Sequence, residues 1–188
     1  WRWGGGGDDG FIDFKKAPDG GYIMGGYSYS IDPEGDFYLV KTGTEGEIEW
    51  ETHLGGTGYQ SGYSVDFTQD GGYVISGRAG DPPFDVDIAV AKCDSLGNQL
   101  WYKVYGGEYN NDAPHSILSL TDGNMVIAGS MGNENFSYSK NRDAYLIKID
   151  QEGEVIWENV FDEEYTTVHA SNIIEVPDGN IVVAGIRY

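Results

Sequence analysis

One ungapped pattern constrains this chain more than any other feature. It runs from Asp36 to Trp50, from Asp87 to Trp101 and from Asp143 to Trp157. In each copy Asp to Lys is five residues, Asp to Gly ten and Asp to Trp fourteen. The lysines are Lys41, Lys92 and Lys148; the glycines are Gly46, Gly97 and Gly153. A second pattern interleaves with it, Asp19-Gly20-Gly21-Tyr22-Ile23-Met24-Gly25-Gly26, and returns at Asp70–Gly77, Asp122–Gly129 and Asp178–Gly185. Its turn glycines, Gly20, Gly71, Gly123 and Gly179, lie 51, 52 and 56 residues apart. A fixed period of this size marks a repeat architecture.

Each repeat reads as four short strands, A to D. Strand A is Phe11–Phe14 and its echoes Tyr63–Phe67, His115–Leu120 and Ser171–Val176. Pro18-Asp19-Gly20-Gly21 is a turn, because Pro presets φ and Gly supplies positive φ. Strand B (Tyr22–Met24, Tyr73–Ile75, Met125–Ile127, Ile181–Val183) is apolar at consecutive positions, as expected of a strand buried on both faces. Strand C ends at the recurring Lys, a Gly-containing turn follows, and strand D ends at the Trp. The last period is longer mainly between Gly129 and Asp143, which marks the B–C connection as a surface loop. No segment has a helical period. With 29 glycines and 14 tyrosines, the composition suits a turn-rich all-β protein rather than a disordered chain.

Four antiparallel strands per repeat of this length predict an all-β β-propeller, with about 3.5 four-stranded blades in residues 1–188. The repeats are approximately 4–50, 51–101, 102–157 and a partial 158–188. Residues 1–3 read as a D-like strand, giving fifteen strands in all, where a closed ring of four blades needs sixteen. Three arrangements stay open: part of a larger ring, a nearly closed small ring, or one completed by a second copy or another protein through open blade edges. The first residue is Trp1, so the stretch is expected to be processed or to belong to something longer.

The C–D segment resembles the tryptophan-docking motif of quinoprotein-like (PQQ-type) propellers. Asp94, Gly97 and Trp101 match it, as do Asp150, Gly153 and Trp157; in the first copy Gly43 stands in place of the Asp, with Gly46 and Trp50 kept. The whole repeat looks like that of bacterial secreted propellers. The resemblance implies that Trp50, Trp101 and Trp157 are structural, each ring lying between blades over a neighbour's turn. It also implies a secreted or cell-surface location. Quinoprotein dehydrogenases need a quinone- and calcium-binding set, which is not found in this sequence.

A net charge of −20 argues against nucleic acid and anionic membranes as partners. No apolar run suggests membrane insertion. Cys93 is the sole cysteine, read as a small buried hydrophobe. Chemistry is expected on the face that holds the D–A and B–C loops, where the repeats differ. The candidate ligand-binding residues there are Tyr59, Gln60, Tyr109, Asn110, Asn111, Asp112, His115, Tyr165 and His169, a set suited to stacking on and hydrogen-bonding a sugar. Asp112 and His115 lack a neighbouring nucleophile motif, so no catalytic residue is assigned. His53, His115 and His169 occupy different repeat positions and predict no shared zinc site. Asp81, Asp85 and Asp87 approach calcium-ligand spacing only loosely; no cofactor is expected, calcium being the one alternative. The leading expectation is a non-enzymatic scaffold for another protein or a glycan. The alternatives are a propeller-class enzyme, either glycan-cleaving or a degenerate quinoprotein, and a purely structural repeat of a large adhesin.

Overall fold

A computed structural model describes residues 6–81, 85–106, 111–132, 142–161 and 167–188. It is an all-β propeller. Three four-stranded antiparallel blades follow in chain order. Blade 1 is β1 (Asp9–Lys16), β2 (Tyr22–Ser28), β3 (Asp36–Thr42) and β4 (Ile48–Leu54). Blade 2 is β5 (Tyr59–Phe67), β6 (Tyr73–Asp81), β7 (Asp85–Cys93) and β8 (Gln99–Tyr105). Blade 3 is β9 (Ala113–Ser119), β10 (Met125–Gly132), β11 (Arg142–Ile149) and β12 (Val155–Phe161). A two-stranded sheet of β13 (Val168–Glu175) and β14 (Ile181–Arg187) comes last. The D-like strand expected at residues 1–3 lies outside the described residues, which hold fourteen strands.

The first strands of successive sheets, β1, β5, β9 and β13, contact one another in turn and line the axis. Their side chains tie the blades together. Asp13 accepts from Ser64 Oγ (3.0 Å) and from the Val65 amide (3.1 Å). One blade further on, Asp66 accepts from the Ser119 amide (2.8 Å), and its other oxygen meets Lys15 Nζ at 3.1 Å. Apolar layers fill the space between sheets. Phe37 and Leu39 of blade 1 pack with Ile75, Ala89 and Ala91 of blade 2. Ile88 and Val90 of blade 2 pack with Ile127, Tyr145 and Ile147 of blade 3. In blades 1 to 3 the doubly apolar B and C strands are therefore buried on both faces, whereas Ile181–Val183 of β14, expected to be buried likewise, are largely exposed because β14 pairs with β13 alone among the described residues. Cys93 is in this core, and burial pushes its thiol up to about 12.

The repeated residues have common jobs. Each strand-C Lys faces the Trp across the C–D hairpin: Lys41 pairs with Trp50, Lys92 with Trp101 and Lys148 with Trp157. The same Lys reaches the aspartate of the A–B turn, at 2.7 Å in Lys41–Asp19, Lys92–Asp70 and Lys148–Asp122. The missing turn Asp of the first copy also has a reason. The Glu47 carboxylate occupies the place a side chain at residue 43 would need, and it accepts the Glu45 amide.

Strand B runs longer than its apolar core suggested, and the glycine that closes each Asp-to-Gly pattern permits a bulge in strand A. A Cβ on Gly26, Gly77, Gly129 or Gly185 would sit 1.9–2.2 Å from a strand-A carbonyl, that of Gly10, Ser61, Ala113 or His169. Opposite these glycines strand A carries one extra residue per blade: Ile12, Tyr63, His115 and Ser171. Bulges re-aim side chains beside functional sites. Here they turn an equivalent residue of each sheet at the axial end of the ring.

Candidate functional site

A cavity of about 220 Å³ opens on the axis, lined by Asp13, Lys15, Ser64, His115, Asn172 and neighbours from all of the innermost strands but no others. His115 is the extra residue of the β9 bulge, and it is partly open to solvent. Its ring meets that of His169, in β13, edge to face at 5.6 Å between centroids. His169 in turn meets Tyr188 at 6.2 Å. Two arginines stand by. Arg142, the first residue of β11, donates from Nη1 to Ser130 Oγ at 3.3 Å. That hydroxyl lies 3.5 Å from His115 Nε2. With Arg142 donating to it, the hydroxyl's own proton is available to the ring nitrogen, so this relay favours an unprotonated Nε2. Arg78, near the end of β6, lies 5.6 Å above the ring of Tyr63, the bulged residue of β5. Its Nε is buried without a hydrogen-bond partner.

The electrostatics follow from this packing. Burial, then His169, Arg78 and Arg142, hold His115 below the ordinary histidine value. Burial and Arg142 do the same for His169. Near neutral pH the site therefore presents uncharged imidazoles beside two cations. This is a cationic spot in a chain of net charge −20. It suits an anion that carries an electrophilic or proton-releasing centre.

The structure treats the expected ligand residues unequally. His115 and His169 come together. Tyr59 and Gln60 begin β5 rather than lying in a loop, and they face blade 1: Tyr59 stands near Tyr29, and the Gln60 amide bonds to Gly35 O at 2.9 Å. Gln60 is 1% exposed and its Nε2 donates to Thr57 O, so it serves the fold. Asp112 is 0% exposed and accepts the Gly132 amide at 2.8 Å. Burial takes both out of reach of a surface ligand. Asn111 forms a bridge with Val86. Tyr109, Asn110 and Tyr165 lie outside the described residues. Among the described residues no group of three or more His, Cys, Asp or Glu side chains is placed to hold a metal ion. Sequence reasoning missed Arg78, Arg142 and Ser130. No sequence signal marks them: of 11 Lys and Arg only three belong to the Asp–Lys–Trp repeat, so Arg78 and Arg142 do not stand out among the other eight.

The indoles are placed between sheets. Trp50 lies against Gly97 and donates from Nε1 to Ser95 O of blade 2 at 3.1 Å. Trp101 lies against Gly153 and donates to Gln151 O of blade 3 at 2.9 Å.

The model of one protein family, described as Arylsulfotransferase (ASST), matches residues 29–185. No curated protein matches the chain. Among solved structures, the chain is similar to MPT-4, a mannose phosphorylase from Leishmania mexicana solved with phosphate ion, at 15% identity and TM-score 0.53, over 90% of this chain and 61% of that one. A hypothetical protein from Leishmania major matches at 16% identity and TM-score 0.46, over 92% of this chain and 61% of that one. The chain thus spans 61% of the length of these structures. The first likeness agrees with the fold and, at its identity, speaks to the fold alone.

Proposed function

The chain belongs to the arylsulfotransferase (ASST) family, and we propose that its axial histidine–arginine cluster handles a sulfuryl group passing between phenolic oxygens. The family is one of enzymes. The expectation of a non-enzymatic scaffold finds no support in the comparisons, and the propeller-class enzyme alternative is compatible with them. The glycan-cleaving version of that alternative would call for paired carboxylates of unlike pKa in the cavity. Asp13 alone lines it, held by Ser64 and Val65.

The observation that carries the reading is His115 turned onto the axis by its bulge, beside His169 and within the field of Arg78 and Arg142. An aryl sulfate is an anion with three terminal oxygens. Guanidinium groups suit such oxygens because they offer several donors in one plane. They also stabilise charge that spreads over those oxygens as the S–O bond to the phenol breaks. An unprotonated imidazole at the same place can take the proton of an acceptor phenol or receive the sulfuryl sulfur itself. Within this reading, the indoles of Trp50 and Trp101 dock one blade on the next and hold β5 and β9 in register. That docking, and the likeness to quinoprotein-type propellers that suggested it, belong to the proposal.

The test is transfer from an aryl sulfate with a coloured phenol to a second phenol. His115→Asn is expected to lower the rate by about 10²–10⁴-fold. Arg142→Ala is expected to cost about 10²–10³-fold. Because protonation of His115 removes its lone pair, the rate should rise with pH through a value below 6.5, the ordinary histidine value, and level off above it. An unchanged rate in a folded His115→Asn protein would sink the assignment.

A further inference from the structure

The bulges of the first strands set out the rim of the ring in order. Around the axis they present Ile12 in β1, Tyr63 in β5, His115 in β9 and Ser171 in β13. His115 therefore has unlike neighbours on its two sides. Towards the last sheet stand Ser171 and Asn172, which line the axial cavity with it. Towards blade 2 stands Tyr63. Blade 2 has a complete four-stranded blade on each flank, so the setting of this ring is that of the propeller's interior.

Tyr63 is partly open to solvent, while the strand on either side of it, Gln60 to Gly62 and Ser64 to Asp66, is buried. Further tyrosines stand behind it. Tyr27 and Tyr29 meet edge to face at 5.8 Å. Glycines make room for both rings: a Cβ on Gly10 would fall 2.9 Å from Tyr27, and one on Gly35 2.7 Å from Tyr29. Burial, then Tyr59, Tyr27 and Tyr63, hold the Tyr29 hydroxyl above its ordinary value, so the four phenols form one cluster. Arg78 joins this cluster to the histidine. Its guanidinium lies 5.6 Å above the Tyr63 ring, and its charge reaches His115 and Arg142. Across this span the surface passes from imidazole and cation to aromatic carbon.

We propose that Tyr63 is a specificity-determining residue for the aryl end of the substrate: with the sulfuryl oxygens at Arg78 and Arg142, the ring that carries them rests on Tyr63. For the anionic end this depends on the sulfuryl-transfer reading. A group bonded to the sulfuryl oxygen has two ways to leave His115. Towards Ser171 and Asn172 it meets hydroxyl and amide, which an aryl carbon cannot pair. Towards Tyr63 it meets a ring that accepts another in edge-to-face or offset contact. Such contact is made before and during sulfuryl transfer alike, so it governs binding and not the chemical step.

The probe is 2-naphthalenesulfonate, an aryl anion whose C–S bond does not transfer. It is titrated by calorimetry beside hexanesulfonate, which has the same anionic group and no ring. Tyr63→Ala and Tyr63→Leu should each weaken the naphthalene compound about ten-fold and hexanesulfonate less than about three-fold. Tyr63→Phe should bind both as the parent does, and Ser171→Ala should leave naphthalenesulfonate unchanged. In transfer from an aryl sulfate, Tyr63→Leu should raise KM about ten-fold with kcat kept. Equal loss of both sulfonates would overturn the proposal, because Tyr63 would then act only by holding Arg78. So would undiminished naphthalenesulfonate binding in both Tyr63→Ala and Tyr63→Leu, or an equal loss in Ser171→Ala. Tyr63-dependent binding in a protein that transfers nothing would sink the sulfuryl-transfer reading and keep the aryl subsite, so the two failures are told apart.

Discussion

The boundary between blades 2 and 3 and the boundary between blade 3 and the last sheet are built from the same repeat, yet they differ in how far they are closed. At the first, Trp101 covers Gly153 and its N–H reaches Gln151 O. Tyr105 donates to Gly153 O at 2.8 Å, and Lys103 meets Glu154. At the second, Trp157 packs on the layer of Leu146, Ala170 and Ile173, without a carbonyl for its nitrogen among the described residues. The difference teaches that the repeat fixes a side chain's position, while the next sheet decides its energy. A docked indole needs both apolar cover and an acceptor.

The largest expected effect tests this contrast directly. Trp101→Ala should cost about 3 kcal/mol, the low end for a core Trp, because the ring is half-buried. Trp157→Ala should cost about 1 kcal/mol, the transfer of a partly covered ring with no hydrogen bond lost. Urea denaturation midpoints compare the two. Equal losses would mean that the acceptor carbonyl contributes nothing.

The same contrast shows what could be read from sequence. The blades were legible because Lys, Gly and Trp serve the fold identically in every copy, so the spacing survived without gaps. The axial site was half-legible. His115 stood out as a loop-face histidine, but its aim comes from a bulge that only cross-strand pairing reveals, and the clue was the glycine opposite it, Gly129. Arg78 and Arg142 were illegible because they break the repeat: Tyr27, Ser130 and Ile186 stand where Arg78 does, and Gly35 and Val86 where Arg142 does. Gln60 and Asp112 look like ligands in a string of polar letters. Gly35 and Gly132, 25 and 20 residues away, hold them in place together with the nearby Thr57.

A smaller effect separates the Lys–Asp turns. Lys92 is 4% exposed at its side chain, so removing its carboxylate leaves a buried cation with solvent on one side only. Asp70→Asn should cost about 1–2 kcal/mol, less than a fully buried pair because Asp70 itself is solvated. Asp178→Asn should leave the urea midpoint unchanged, as expected of a fully exposed side chain that ties no cation to the fold. If both cost the same, the turn itself and not the Lys bridge sets the value.

The smallest effect is the acid dependence of that bridge. Burial works to raise the Asp70 carboxyl, but bonds from Lys92, Thr68 and Gly72 outweigh it and hold the group below 3.8. A carboxyl depressed in the folded state binds fewer protons there than in the unfolded chain, so its contribution is full above 3.8 and is lost as pH falls through the lower folded value. Lys148 places Asp122 in the same position against its burial. Asp178 is also depressed, through the amide and side chain of Asn180, but it is fully exposed and ties no buried cation to the fold. Stability measured from pH 5 down to pH 2 should therefore fall less steeply in Asp70→Asn than in the parent, and by a smaller margin in Asp178→Asn, whose solvated carboxyl gains only local bonds from Asn180. Matching slopes for Asp70→Asn and the parent would show that the acid sensitivity resides elsewhere among the chain's 31 acidic residues.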